Sequence, residues 1–257
     1  CLLLIHGLGD RATTWKRVLL ADPTTWQKPL KLIALDLPGN GDSEPPAADT
    51  GYSLRKMAAA AAAVVQSVPG GCGDLWVAGN SMGGGVATWL ALDPSLRVRR
   101  LILLSPGAID TPKAWDQAAS FPANGDLSQV PSIGLLREIS VASLKEFQRR
   151  AYFKPRELPA HVWEGVVRRA RHSPVSRILK AQTPEDLPGA RLKEIVAPVV
   201  LIWGLSDLII TIEEGRELAK RFRNGVLREI PECGHIPQKE CPEAFYSAVN
   251  DLLRAGG

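Results

Sequence analysis

Short apolar runs alternate with helix-like segments along most of this chain. Apolar runs of strand length lie at residues 1–5, 30–37, 74–79, 100–106, 197–207 and 225–235. Helix-like stretches lie at residues 53–67, after Ser81, and at residues 211–222 and 242–254. Strands that alternate with helices predict βαβ units, because parallel neighbours need a long crossover between them. We therefore expect an α/β protein with a doubly wound, mostly parallel sheet.

One long interval breaks this alternation. Residues 107–197 contain no strong strand signal; helix-like segments at 143–154 and 161–174 and several prolines occupy the interval instead. We predict a core made of residues 1–106 and 198–257, with residues 107–197 inserted as a helical cap, or lid. A length of 257 residues suits one sheet-centred domain that carries such an insertion.

Composition and charge narrow the classes of partner. The formal net charge is only +4, and 45% of the residues are hydrophobic, as is typical of a soluble globular protein. Nucleic-acid-binding proteins usually concentrate Lys and Arg in a stripe, so we expect no nucleic-acid partner. The apolar runs fall short of the roughly 18 to 20 residues that a membrane helix needs, so we expect no stable membrane insertion. A small-molecule substrate is the remaining expectation, and the sequence carries no signal for an oligomeric state.

The four cysteines have no spacing typical of a metal site. They are Cys1, Cys72, Cys233 and Cys241. Disulfides are rare in the cytosol, so the sequence predicts reduced thiols in a cytoplasmic protein. The chain starts inside an apolar run and without an initiator Met, so we expect that residues upstream are missing, among which a signal peptide or anchor is an open alternative.

The segment "GNSMGG" at residues 79–84 places a serine between glycines where a strand gives way to a helix. In the pattern G-x-S-x-G this turn is strained and presents the hydroxyl of Ser81, and Gly79 and Gly83 avoid collisions with neighbouring backbone. The N–H groups at the start of the helix have no partners there and favour negative charge. The alternative is a glycine-rich turn that serves packing alone. We predict that Ser81 is a nucleophile.

A serine nucleophile needs a base, and the base needs an orienting carboxylate. His235 follows the last strand-like run, and Asp207 ends the preceding one, in the order Ser, acid, His. The carboxyl ends of parallel strands share one edge of the sheet, where ligands bind. We predict a catalytic triad of Ser81, Asp207 and His235. Asp110 is the alternative acid, and the structural alternatives are a solvated loop histidine and a turn or capping aspartate.

The turn in "LIHGLGD" completes the predicted site. An oxyanion hole needs two N–H donors, one of which follows the nucleophile. We predict the backbone N–H groups of Leu8 and Met82, and expect His6 to pack beneath the turn. The resulting acyl-enzyme mechanism requires no metal and no organic cofactor, so we expect no cofactor-binding and no metal-binding residues.

The predicted cap is basic. Its arginines include Arg149, Arg150, Arg168, Arg169 and Arg171. A solvated helix face is the simpler interpretation of this charge. The alternative is attraction of an anionic substrate or membrane surface.

Five motifs in chain order resemble the α/β-hydrolase fold family. They are "HGLGD", "LDLPGNGDS", "GNSMGG", "IWGLSD" and "CGHIPQKECPEAF". The resemblance implies the α/β-hydrolase fold, a cap formed by the insertion and the triad named above. Asn80 before the nucleophile is similar to the carbon–carbon bond hydrolases of meta-cleavage pathways, although those enzymes commonly have an aromatic residue where this chain has Ile236.

These observations favour a serine hydrolase that cleaves a small or medium carboxylic ester through an acyl-enzyme on Ser81. Carbon–carbon bond hydrolysis of a diketone-type substrate is the main alternative, with amide hydrolysis and acyl transfer as further chemistries. A non-hydrolytic small-molecule binding protein that retains the fold is an alternative from a different functional class.

Overall fold

A computed structural model describes residues 1–109 and 139–255. Its six strands form one parallel sheet in the order β2-β1-β3-β4-β5-β6. The strands are β1 (Leu2–Ile5), β2 (Leu32–Leu35), β3 (Leu75–Asn80), β4 (Val98–Leu104), β5 (Val199–Gly204) and β6 (Gly225–Ile230). Each predicted strand-like run overlaps one of them, so the predicted α/β class with a doubly wound parallel sheet is confirmed.

Helices connect the strands and cover the sheet. They are α1 (Lys16–Leu19), α2 (Leu54–Gln66), α3 (Met82–Ala91), α4 (Val141–Ala151), α5 (Ala160–His172), α6 (Val175–Ala181), α7 (Ile212–Arg221), α8 (Pro237–Glu240) and α9 (Pro242–Ala255). Short 3-10 helices occupy Ala12–Trp15, Pro23–Thr25, Asp49–Tyr52, Pro184–Asp186 and Pro188–Glu194. Helices α4 to α6 lie between β4 and β5, which confirms a helical insertion there. None of the described helices is both long and apolar enough to span a bilayer.

The sheet has an apolar layer on each face. In β1, Leu2 and Leu4 pack into one layer, while Leu3 and Ile5 pack into the other. Side chains alternate between the two faces along a strand, so a strand covered on both sides reads as a continuous apolar run. This arrangement explains why the strands appeared as unbroken apolar stretches in the sequence.

The structure corrects the prediction of reduced thiols. Disulfides join Cys1 to Cys72, with 5.4 Å between the Cα atoms, and Cys233 to Cys241, with 6.1 Å between the Cα atoms. The first pair meets because β1 lies beside β3, and the N–H of Trp76 donates to the carbonyl of Cys1 at 2.8 Å. A separation of 71 residues carries no sign of the first pairing until the sheet order is known.

Candidate active site

Ser81 occupies the tight turn between β3 and α3. Its φ of 52° and ψ of −126° are unusual for a residue with a side chain, which indicates a strained backbone. A Cβ on Gly79 would overlap the carbonyl of Gly83, and a Cβ on Gly83 would overlap the carbonyls at the end of β1. Glycine is therefore needed on both sides of Ser81 for the turn to form.

Three side chains form a continuous hydrogen-bonded line at the carboxyl edge of the sheet. His235 Nε2 lies 2.9 Å from Ser81 Oγ, and His235 Nδ1 lies 2.8 Å from Asp207 Oδ2. Asp207 and His235 are both only 3% exposed. Because a carboxylate only accepts, Nδ1 carries the proton and Nε2 accepts the serine hydroxyl.

The loop after β5 fixes the carboxylate of Asp207. Its Oδ1 accepts the N–H of Ile209 at 2.9 Å and of Ile210 at 3.0 Å, which leaves Oδ2 for the imidazole. The structure thus brings together Ser81, Asp207 and His235. The alternative acid, Asp110, lies outside the described residues.

The turn after β1 borders Ser81. The N–H of Asp10 donates to the carbonyl of Gly7 at 3.2 Å, which closes the turn that contains Leu8. A Cβ on Gly7 would lie 3.1 Å from the Cβ of Ser81, so the turn passes directly beside Ser81. Leu8, Ser81 and Met82 line the same cavity.

The second predicted donor lies at the start of α3. Met82 is the first residue of that helix, so its N–H has no acceptor within the helix. A Cβ on Gly107 would lie 3.7 Å from this nitrogen, and the N–H of Gly107 donates to the carbonyl of Ser81 at 2.8 Å. The loop after β4 therefore passes beside the Met82 nitrogen, and a Cβ on residue 107 would come within van der Waals contact of it.

His6 supports the turn from below and is fully buried. Its Nδ1 donates to the carbonyl of Gly7 at 2.8 Å, and its Nε2 accepts the N–H of Leu37 at 3.0 Å. Burial lowers the pKa of His6, which keeps the imidazole neutral, as this pair of hydrogen bonds requires. His6 accordingly packs beneath the turn, where the sequence placed it.

An ion pair joins the same turn to α8. Lys239 Nζ lies 2.9 Å from Asp10 Oδ2, and the two side chains are 35% and 25% exposed. Burial alone would raise the pKa of Asp10, but the charge and hydrogen bond of Lys239 outweigh it and hold that pKa below its usual value. Burial opposes the charge on Lys239 as well, yet Asp10 raises its pKa overall. Both shifts favour the charged pair, which the sequence analysis did not identify.

The end of α4 and the chain that follows it, residues 150–154, are hydrogen-bonded to the loops that carry Asp207 and His235. We call residues 150–154 the cap-base segment. The N–H of His235 donates to the carbonyl of Ala151 at 2.7 Å, and the N–H of Leu208 donates to the carbonyl of Arg150 at 3.1 Å. The first of these bonds involves the main chain of His235, whose imidazole contacts Ser81 and Asp207.

Glu240 adds a third link between the cap-base segment and the histidine loop. Its Oε1 accepts the N–H of Lys154 at 3.0 Å, and its Oε2 accepts the N–H of Gly234 at 2.7 Å. A Cβ on Gly234 would overlap the carbonyl of Ala151, so the two segments touch at backbone distance. The cap-base segment is therefore packed directly against the loop that carries His235.

A cavity of about 1440 Å³ lies over Ser81, between the sheet edge and helices α4 and α5. Its lining is mixed, with apolar contributions such as Phe147, Leu158 and Ile236. Of the five cap arginines noted in the sequence, Arg150, Arg168 and Arg169 line the cavity.

Glu146 neutralises part of the cap charge. It pairs with Arg149 and Arg150, each at 2.7 Å. Hydrogen bonds from both guanidinium groups lower the pKa of Glu146 to about 2. Arg171 donates to the carbonyl of Ile139 at 3.2 Å. Over residues 1–109 and 139–255, no group of three or more His, Cys, Asp and Glu side chains is arranged to hold a metal ion.

The family of the chain follows from its sequence profile. The profile described as the alpha/beta hydrolase family matches residues 2–248. The chain belongs to this family. The resemblance drawn from the five motifs is confirmed, and the triad line lies where that resemblance implies a nucleophile, an acid and a base.

One relative of this α/β hydrolase is a 2-hydroxy-6-oxononadienedioate/2-hydroxy-6-oxononatrienedioate hydrolase of Burkholderia vietnamiensis (strain G4 / LMG 22486). The two are 31% identical over 262 residues, which cover 98% of this chain and 86% of the relative. This similarity agrees with the narrower resemblance to carbon–carbon bond hydrolases that was drawn from Asn80.

Two solved structures have similar folds. One is a membrane phospholipase A described as a bacterial virulence factor, with a TM-score of 0.74 and 26% identity over 98% of this chain and 79% of that one. The other is the 2-hydroxy-6-oxo-6-phenylhexa-2,4-dienoate hydrolase of Rhodococcus sp. strain RHA1, with a TM-score of 0.74. At 18% identity over 98% of this chain and 90% of that one, the second similarity supports the fold alone.

Proposed function

We propose that this α/β hydrolase cleaves small or medium carboxylic esters through an acyl-enzyme on Ser81. The observation that carries the proposal is the buried line from Ser81 Oγ through the imidazole of His235 to Asp207, with hydrogen bonds of 2.9 and 2.8 Å. A nucleophile, a base and an orienting acid in this order activate a serine hydroxyl for acyl transfer.

The reaction proceeds in two half-steps. His235 Nε2 takes the hydroxyl proton as Ser81 Oγ attacks the ester carbonyl, and Asp207 stabilises the imidazolium that forms. Collapse of the tetrahedral intermediate breaks the bond to the leaving alkoxide, which takes the proton from Nε2. Water, deprotonated by the same nitrogen, then attacks the acyl-enzyme and releases the carboxylic acid and free Ser81.

The backbone N–H groups of Leu8 and Met82 stabilise the oxyanion in both tetrahedral intermediates. Their support is the contact of the turn after β1 with Ser81, the position of Met82 at the start of α3, and the approach of Gly107 to the Met82 nitrogen. Preorganised donors of this kind contribute about 100- to 1,000-fold each in rate. Because both groups belong to the backbone, substitutions test them only by changing the space around them.

The similar phospholipase A, named for ester cleavage, supports an ester as substrate. A second candidate is carbon–carbon bond hydrolysis of a diketone-type substrate, which the relative from Burkholderia vietnamiensis supports. Arg168 and Arg169 would then face the substrate's carboxylate in the cavity. We rank ester cleavage first because Ile236 replaces the expected aromatic residue and because the amide of Asn80 is bonded to the protein.

The proposed division of the chain keeps residues 1–106 and 198–257 as the hydrolase core and residues 107–197 as the cap. The proposed partner is a small molecule held in the cavity under the cap. Both disulfides favour a compartment that oxidises thiols, because such bonds are rare in the cytosol. The cytoplasmic placement expected from the sequence rested on reduced cysteines and loses that support.

Covalent labelling tests the proposed function. The protein, Ser81→Ala and His235→Ala are treated with a fluorophosphonate and weighed intact, after circular dichroism has shown that all three fold. We expect one adduct on the wild type and none on either variant. A folded wild-type protein that takes up no label would contradict the proposal and favour the binding-protein alternative.

A substrate panel then separates the two hydrolytic candidates. The panel combines p-nitrophenyl esters of short and medium acyl chains with a 2-hydroxy-6-oxo-dienoate. A higher kcat/KM on the esters than on the dienoate supports ester cleavage. A higher kcat/KM on the dienoate supports carbon–carbon bond hydrolysis. Both activities should disappear in Ser81→Ala, which excludes a contaminating hydrolase.

A further inference from the structure

The side chain before the nucleophile bonds to three parts of the protein at once. Asn80 ends β3 and is only 2% exposed. Its Nδ2 donates to the carbonyl of Leu104 and to the carbonyl of His235, both at 2.9 Å. Its Oδ1 accepts from Gln238 Nε2 at 3.0 Å. The carboxamide therefore joins the end of β3, just before Ser81, to the end of β4, the loop of His235 and helix α8.

Only a carboxamide satisfies this set of partners. Two carbonyl oxygens on one side require two N–H donors, and the donor on the other side requires an acceptor. Gln238 is fully buried and also donates to Thr14 Oγ1 at 3.2 Å, so it fixes the orientation of the amide. A carboxylate in place of Asn80 would direct an oxygen at two carbonyl oxygens, and an apolar side chain would leave both carbonyls unpartnered.

The main chain of His235 is thereby held from two sides. Its N–H donates to Ala151 at 2.7 Å, and its carbonyl accepts from Asn80. Displacements of about 1 Å are enough to cost about 100-fold in rate where a catalytic group is misplaced. We propose that Asn80 is a positioning residue, which sets the distance between the His235 imidazole and Ser81 Oγ and does not contact the substrate. This role rests on the proposed serine chemistry, but the contacts that define it do not.

The test uses Asn80→Asp, which keeps the shape of the side chain and removes its donors. Thr88→Val is the matched control, since Thr88 is likewise a buried polar side chain but donates to Gly84 within α3. We expect Asn80→Asp to lower kcat about 10- to 100-fold with KM within about twofold of wild type. Thr88→Val should keep the wild-type kcat.

Proton NMR reports on the position of the His235 imidazole without any substrate. The proton on His235 Nδ1, bonded to Asp207, gives a far-downfield proton resonance, which is assigned by its loss in His235→Gln. We expect Asn80→Asp to shift or broaden this resonance and Thr88→Val to leave it in place. If Asn80→Asp fails to fold, Gln238→Met keeps both donors of Asn80 and should show the same effects at about two- to fivefold in kcat.

Two results would overturn the proposal. One is an unchanged kcat with an unchanged Nδ1 resonance in the folded variants. The other is a raised KM at unchanged kcat, which would make Asn80 a substrate contact. If the wild type hydrolyses no substrate of the panel, the proposed function fails. The Nδ1 proton resonance alone then tests whether Asn80 positions His235.

Discussion

His235 Nε2 lies 2.9 Å from Ser81 Oγ, although 154 residues separate the two in the chain. The contact exists because β3 and β6 end at the same edge of a parallel sheet, and Ser81 and His235 lie in the turns that follow these strands. The fold itself therefore brings the hydroxyl and the imidazole within hydrogen-bond distance.

Replacement of Asp207 by Asn should lower kcat by about 1,000- to 10,000-fold. An amide in place of Oδ2 can donate to Nδ1, which moves the imidazole proton to Nε2 and removes the base that faces Ser81. The measurement is steady-state hydrolysis of the best ester from the panel. Circular dichroism must show a folded variant, and a loss below tenfold would contradict the assignment of Asp207 as the orienting acid.

Gly107→Ala should lower kcat about tenfold and leave KM nearly unchanged, because the oxyanion exists only along the reaction path. The added Cβ would lie 3.7 Å from the Met82 nitrogen and 3.0 Å from Ile210 Cδ1. Gly73→Ala is the control, since a Cβ there meets nothing within 4 Å. Equal kcat values for the two variants would argue against an oxyanion beside Met82.

The pair of Asp10 and Lys239 should contribute to activity equally at pH 6 and pH 8. The pKa of Asp10 lies below its usual value of about 3.8 and that of Lys239 above about 10.5, so both groups stay charged across this range. The stabilisation from Asp10 is present above its unfolded pKa and is lost as the pH falls through its lower folded pKa, and that from Lys239 is present below its unfolded pKa and is lost as the pH rises through its higher folded pKa. Asp10→Asn should lower kcat by the same factor at both pH values, because the turn with Leu8 loses its tie to α8.

A double variant separates the pair from its members. Asp10→Asn leaves the partly buried charge of Lys239 without its partner, which costs more than loss of the pair as a whole. Asp10→Asn/Lys239→Met should therefore be more stable to heat than Asp10→Asn alone. The single variant Lys239→Met completes the comparison. If the losses of melting temperature in Asp10→Asn and Lys239→Met add up to the loss in the double variant, the ion pair is not the origin of the destabilisation.

We expect the Cys1–Cys72 disulfide to contribute more to stability and the Cys233–Cys241 disulfide to contribute more to activity. A closed loop of 72 residues, as between Cys1 and Cys72, raises the free energy of unfolding by about 4 kcal/mol in the chain-entropy model, and the short loop between Cys233 and Cys241 by about 2.5 kcal/mol. Serine replacement of the first pair should lower the melting temperature more. Replacement of the second pair should lower kcat more, since that loop contains His235.

Assays well below both melting temperatures distinguish the two effects. Intact masses after alkylation, with and without prior reduction by a dithiol, establish that the wild type carries both bonds. An equal kcat in the two double variants would show that the Cys233 bond stabilises the fold without any influence on the histidine.

The sequence was most informative where a signal is local. Strand-length apolar runs located the sheet, and the glycines around Ser81 predicted a turn that only glycine permits. Asp207 and His235 could be chosen because parallel strands deliver their carboxyl ends to one edge. None of these inferences required knowledge of which side chains touch.

The remaining features depend on contacts between distant segments. The pairing of Cys1 with Cys72 follows from the adjacency of β1 and β3, and the ion pair of Asp10 with Lys239 follows from the approach of two loops. The bonds of Asn80 to His235 and Gln238 are of the same kind. Each side chain alone has an ordinary alternative in solvent, so the spacing along the chain carried no signal for it.

The cap-base segment has a consequence for the engineering and the evolution of this enzyme. Replacing the cap of one α/β hydrolase by that of another is a direct way to try to change which substrate is cleaved. Here a graft that begins before residue 150 and ends after residue 154 would also have to place two backbone carbonyls where those of Arg150 and Ala151 accept the N–H groups of Leu208 and His235. New substrate preferences are therefore more accessible through changes within α5 and α6, beyond this segment, than through wholesale transplantation of the cap.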